Sequence, residues 1–139
     1  MGALCTCSNL RKASRIITKL YDAVLQPSGL LATQAIVLTA IAANGTVRLS
    51  RLAEQLAMDR TTLARNLRSL ETGGLVEVSA GEDRRTRLLR LTDRGEEALS
   101  KVVPLWKEAQ AFVIDRLGED RWRAMMGDWA ELVALARRS

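Results

Sequence analysis

The stretch MDRTTLARNLRSLETGG, Met58–Gly74, decides the fold. Asp59 is a residue type whose side chain accepts from the free N–H groups of a helix start. Leu63, Leu67 and Leu70 then recur at helical spacing, and Gly73-Gly74 ends the run, which predicts a helix over Arg60–Thr72. Its other face is polar: Arg60, Thr61, Thr62, Arg65, Asn66, Arg68 and Ser69. Just upstream, Ser50 is expected to cap a short helix over Arg51–Ala57. Ala53 is small where the two helices would cross, Leu52 and Leu56 supply core, and the tight turn falls at Met58-Asp59. Just downstream, Leu75–Ser79 alternates apolar and polar residues as a strand does. Gly81–Thr86 is a polar turn and Arg87–Leu91 the return strand. Two helices joined by a tight turn and followed by a small hairpin make a winged helix-turn-helix.

Helices flank this unit. Ser8 is expected to cap a first helix whose apolar stripe runs Leu10, Ala13, Ile17, Leu20, Tyr21, Val24, and which stops before Pro27-Ser28-Gly29. Thr33 is expected to cap a second helix, from Gln34 to about Ala43, apolar nearly all round and so expected to be buried. Asn44-Gly45 closes it, and Thr46–Leu49 is a short extended piece. Thr92-Asp93 opens a long helix towards Leu117, with a kink expected near Pro104. Beyond Gly118 a last helix runs from about Asp120 to Arg138. The expected fold class is mainly α with a small β-hairpin wing. Residues 31–94 form the winged helix-turn-helix, and residues 1–30 and 95–139 a helical dimerisation region.

Composition narrows the function. A chain of 139 residues fits one domain. It carries 21 basic and 16 acidic residues, net +5, and 17 of the basic residues are Arg. There is no His, which excludes Ser-His-Asp and Cys-His catalysis and His-ligated metal. No metal or cofactor is expected, and the chain does not read as an enzyme. The Cys5-x-Cys7 spacing also differs from the Cys-x-x-Cys of thiol oxidoreductases. Neither a signal peptide nor an apolar run of membrane-spanning length is visible, so no membrane partner and a cytoplasmic location are expected.

The charge is placed unevenly. Residues 48–94 hold ten Arg, no Lys, seven acids and no aromatic residue. The lack of aromatics disfavours stacking on single strands, which leaves double-stranded DNA as the expected partner. In a helix-turn-helix the second helix enters the major groove. There Arg65 suits guanine N7 and O6, Asn66 suits adenine N6 and N7, and Thr61 and Thr62 reach phosphates or a thymine methyl. Arg60 and Arg68 share that face. Asp83, Arg84, Arg85 and Arg87 sit at the hairpin tip, where Arg can enter a narrow minor groove and Asp83 can hold an Arg side chain in pose. The alternative is a non-specific architectural nucleic-acid-binding module, which would carry more Lys and fewer acids.

Three segments carry a family resemblance: Met58–Arg65, then Leu70-Glu71-Thr72-Gly73-Gly74-Leu75-Val76, then Asp83-Arg84-Arg85 with Leu91-Thr92-Asp93-Arg94-Gly95. At this spacing they resemble the MarR family of bacterial transcriptional regulators, over essentially the whole chain. The resemblance implies an obligate homodimer built from the terminal helices, and repression by binding a near-palindromic site that overlaps a promoter. It implies Thr61, Thr62 and Arg65 as major-groove contacts, Arg85 as the minor-groove residue and Asp83 as a support of the wing.

The residues point to the dimer independently. Leu10, Ile17, Leu20, Tyr21, Leu105, Phe112, Trp122, Met125, Met126, Trp129, Leu132 and Leu135 are more apolar surface than a three-helix reader needs to cover. Modulation is expected from one of two sources. One is thiol chemistry at Cys5 and Cys7, as redox sensors bridging to the partner chain or, alternatively, as soft-metal ligands; two free thiols on a frayed terminus is the plain alternative. The other is a small organic anion as effector, in a crevice with Arg15 and Trp106.

Overall fold

The computed structural model describes residues 2–137. Six helices and three strands follow in the order α1 (Thr6–Leu25), α2 (Ala32–Asn44), β1 (Thr46–Arg48), α3 (Leu49–Gln55), α4 (Arg60–Thr72), β2 (Val76–Ala80), β3 (Arg87–Leu91), α5 (Asp93–Leu117) and α6 (Glu119–Arg137), with a 3-10 turn at Gln26–Ser28 after α1. Arg138, placed by the sequence in the last helix, lies outside the described residues. The chain forms two compact units that divide within α5, one up to Trp106 and one from Lys107.

The core of the first unit is an aliphatic cluster. Leu25, Leu38, Ile41, Leu52, Leu63, Leu70 and Leu89 are almost wholly buried and join α1, α2, α3, α4 and β3. Ala53 is buried as well, which lets α3 and α4 approach closely. The short extended piece before α3 proves to be a strand of the wing's own sheet. The sheet order is β1-β3-β2, all antiparallel, with Val47 opposite Leu89 and Glu77 opposite Arg90. Val47 and Leu89 are both buried, so one apolar residue in each short strand sets the register.

Three expected helix starts are placed too late. Ser8, Thr33 and Ser50 lie inside their helices, whose cap positions are Cys5, Leu31 and Arg48, and none of these three caps through its own side chain. For α2 the free N–H groups are satisfied from elsewhere: Asp22 of α1 accepts from Ala32 at 2.7 Å, and Gln34 accepts from Leu31 at 2.9 Å. For α2, a tertiary acceptor therefore moves the boundary earlier than local propensity places it. Asp59 does cap α4, accepting from Thr62 at 3.4 Å. α2 is also less buried than its composition suggests, because Ile36 remains 56% exposed. α5 runs as one helix through Pro104.

The α3–α4 turn uses a residue no turn rule would pick. Ala57 takes φ +51°, left-handed backbone that costs an L residue about 1–2 kcal/mol. The bonds Ala57 N–H to Glu54 O (3.2 Å) and Met58 N–H to Ala53 O (2.9 Å) hold it there. They close the end of α3 in the manner of a left-handed helix cap and set the angle at which α4 departs.

The foot of the wing is locked to the start of α5. The Thr92 hydroxyl donates to Gly74 O at 2.5 Å and accepts from Gly95 N–H at 3.1 Å, while Thr92 N–H donates to Leu75 O at 3.1 Å. Thr92 thus caps α5 and fastens the chain that enters β2. A capping box would place Glu or Gln three residues later. Here Gly95 stands in that position, because a Cβ would collide with the Leu75 carbonyl group.

Candidate nucleic-acid interface

α4 projects its polar face by the geometry of its buried one. Leu63, Leu67 and Leu70 face the core, leaving Arg60, Thr61, Thr62, Arg65 and Arg68 exposed. Asn66 sits differently from these. It is half-buried at the edge of the apolar stripe, and its amide donates to Thr62 O at 3.2 Å. Thr61, Thr62 and Arg65 are therefore presented free of the helix's own bonds, whereas Asn66 must release one to read a base.

The wing tip is held by backbone geometry. Gly81 N–H donates to Thr86 O at 2.8 Å, and Thr86 N–H donates to Asp83 O at 3.0 Å. The Asp83 carboxylate accepts from the backbone N–H of Arg85 at 3.3 Å. The expectation that Asp83 holds an Arg side chain needs correction: it folds the turn, as Asp does two residues ahead of a backbone donor. The outcome for the arginines is the same or better. Arg84, Arg85 and Arg87 stay exposed, with no carboxylate neutralising them among the described residues.

The acids of this block explain a puzzle of the composition. Glu77 binds Arg90 across the sheet at 2.6 Å, Glu54 pairs with Arg51 at 3.7 Å, Asp59 caps α4 and Asp83 folds the wing turn. These four acids hold the scaffold. Among the described residues, Arg60, Arg65, Arg68, Arg84, Arg85 and Arg87 make no ion pair. Six unneutralised guanidinium groups on one helix face and one hairpin tip are a stronger anion-binding feature than the net charge of the block.

The remaining candidates are more dispersed. Cys5 is half-buried at the cap position of α1, Cys7 is exposed in its first turn, and both are free thiols. No group of three or more Cys, Asp and Glu able to hold a metal occurs among the described residues. Arg15 lines an open depression of about 450 Å³ on α1 with Leu10, Arg11 and Ser14. Trp106, expected beside Arg15 in an effector crevice, is exposed and does not line that depression. On α1, Leu10, Ile16 and Ile17 are exposed, as are Phe112 of α5 and Trp129, Leu132, Val133 and Leu135 of α6. α6 has no buried residue at all. No single helix among the described residues is long and apolar enough to cross a membrane.

Sequence reading missed the polar contacts that set these elements against each other: Asp22 with Ala32, Gln34 with Ser69, Asn44 with Gln55, and the Thr92 lock. Of these, only Thr92-x-x-Gly95 left a sequence signal.

A model of the MarR family matches residues 28–86. The chain is 40% identical to the transcriptional regulator MosR of M. tuberculosis, whose crystal structure in complex with DNA superimposes with a TM-score of 0.88, over 96% of this chain and 97% of that one. It is 27% identical over 113 residues to the uncharacterized HTH-type transcriptional regulator YwoH of Bacillus subtilis (strain 168), spanning 81% of this chain and 82% of that one. A mutant MarR from E. coli complexed with operator DNA shares the fold, with a TM-score of 0.81 over 90% of this chain and 91% of that one, at 21% identity.

Proposed function

Because this chain belongs to the MarR family of transcriptional regulators, we propose that it acts as a homodimeric repressor that reads a near-palindromic promoter site in double-stranded DNA. The observation that carries this reading is the set of six unneutralised arginines on α4 and the wing tip. α4 enters the major groove, where Arg65 takes a guanine edge and Thr61 and Thr62 contact phosphate or a thymine methyl. Arg84 and Arg85 reach the flanking minor groove, and Arg60, Arg68 and Arg87 meet phosphates. The exposed apolar residues of α1, α5 and α6 support a two-fold partner. Such a dimer sets its two reading helices roughly 34 Å apart, one turn of DNA.

Arg85→Ala tests the wing. Affinity should fall by a similar factor on every duplex, and the slope of log K against log salt should flatten by about one unit. An unchanged slope would remove Arg85 from the interface.

Modulation belongs to the same reading. Cys7 is exposed and Cys5 half-buried, both free and close to the start of α1, one of the helices assigned to the dimer layer. A peroxide converts two such thiols to a disulfide with release of two waters, and a bridge to the partner chain would alter how the two readers are held. Peroxide treatment should change the DNA affinity of the wild type and leave a Cys5→Ser, Cys7→Ser double variant unaffected. Equal affinity of the wild type before and after oxidation would leave a small organic anion as the modulator.

A further inference from the structure

Between the helix assigned to the dimer layer and the reading helix runs a series of polar contacts, joined through the backbone between Ala32 and Leu31 and within Asn66. Asp22, part-buried on α1, accepts the Ala32 N–H of α2 at 2.7 Å. The preceding N–H, of Leu31, donates at 2.9 Å to Oε1 of Gln34. The other end of that amide, Nε2, donates to the Ser69 hydroxyl of α4 at 3.3 Å. Ser69 in turn donates to Asn66 O at 2.9 Å, and Asn66 donates to Thr62 O at 3.2 Å, which ends the run one residue from the exposed Thr61 and three from Arg65.

The joint that this run crosses has little slack. After α1 the 3-10 turn is closed by Gly29 N–H on Gln26 O (3.0 Å), with Gly29 at φ +75°. Ser28 donates to Leu25 O at 2.6 Å and accepts from Leu30 N–H at 3.2 Å. Leu25 and Leu30 on either side are buried. The one polar tie that joins α1 directly to the start of α2 across this joint, among the contacts above, is the Asp22 carboxylate. A charged acceptor on a helix-start N–H is the stronger kind of hydrogen bond, and the helix dipole favours a carboxylate at that end.

We propose that Asp22 and Gln34 are positioning residues for DNA reading: they fix the angle between α1 and α4, and through it the half-site spacing that the dimer accepts. This rests on the dimeric DNA-reading function above. Neither residue touches DNA in this account. Both act by holding α4 at one pose relative to α1, so that sequence selectivity depends on residues remote from the base edges.

The test uses the full-length chain and a duplex selected by the wild-type protein from a randomised pool, with a scrambled duplex of equal composition. Asp22→Ala should weaken binding to the selected duplex about tenfold, leave the scrambled duplex nearly unchanged, and tolerate one inserted base pair between half-sites better than the wild type does. Asp22→Asn keeps an acceptor at the cap and should restore most of the affinity. Ser69→Ala cuts the run where it reaches α4, at an exposed residue outside the core, and should be non-additive with Gln34→Ala in operator affinity. The inference fails if Asp22→Ala, folded by circular dichroism at the assay temperature, binds and spaces like the wild type, or if both duplexes weaken equally. It fails equally if the Ser69 and Gln34 effects simply add. A wild type that selects no duplex at all would overturn the DNA-reading function itself, a separate outcome from any of these.

Discussion

Gly95→Ala is expected to be the most damaging single-methyl change in the reader, at a cost of about 3 kcal/mol. An added Cβ would sit well inside contact with the Leu75 carbonyl oxygen and 3.0 Å from its carbon. The obstacle is backbone, so no side-chain rotation relieves it. Nor can Leu75 withdraw freely. Its carbonyl accepts Thr92 N–H at 3.1 Å, and its own N–H donates to Leu70 O at 2.9 Å, at the end of α4. Movement there must break the Thr92 lock or disturb the end of the reading helix. The melting temperature should fall by roughly 10 °C. Any folded protein that remains should bind DNA poorly, because the wing loses its fixed foot. Calorimetry and circular dichroism measure the first effect, and an unchanged melting temperature would show that the β2–α5 junction yields far more easily than its hydrogen bonds suggest.

Arg65→Ala is the second large effect, and it falls on binding alone. Arg65 is exposed and makes no ion pair among the described residues, so its removal should leave the fold intact. A lost guanine contact costs roughly 1–3 kcal/mol, which is about 5- to 150-fold in affinity at a selected duplex. Base preference should relax at one position per half-site, and binding to scrambled DNA should change much less. A uniform loss across all sequences would make Arg65 a phosphate contact. A variant that keeps its full sequence preference would remove Arg65 as a base reader and leave the selectivity to other residues of the interface.

What could be read in the sequence follows from which forces are local. α4, its Asp59 cap and the β2–β3 hairpin were all legible, because a leucine stripe, a carboxylate one residue before a helix and a polar turn between alternating strands are short-range signals. Thr92-x-x-Gly95 belongs with them, although its purpose became clear only when Gly95 met the Leu75 carbonyl. The starts of α1, α2 and α3 were misplaced because Ser8, Thr33 and Ser50 are good caps in isolation, while the structure begins those helices earlier and caps α2 with Asp22, ten residues away in the chain. Ala57 was invisible as a left-handed residue, since the bonds holding it come from α3 itself and no Gly or Asn marks the place. β1 was read as an isolated extended piece because its partner, β3, lies about 40 residues on.

The candidate site divides in the same way. Residue types and their faces were legible: Arg60, Thr61, Thr62, Arg65 and Arg68 are exposed together on α4, and Arg84, Arg85 and Arg87 on the wing. The roles of the acids were not, because pairing across a sheet or within a turn is a matter of register. Glu77 opposite Arg90 and Asp83 beneath the Arg85 N–H leave the other arginines unneutralised, which no count of charges could show.

The most direct measurement of the central claim is the equilibrium affinity of the wild-type protein for its selected duplex and for a scrambled duplex, across a range of salt concentrations. Six free arginines on a shaped surface predict steep salt dependence on both duplexes, and a selected-to-scrambled affinity ratio of about a thousand or more. Equal affinity for the two duplexes at every salt concentration would contradict a sequence-selective reader.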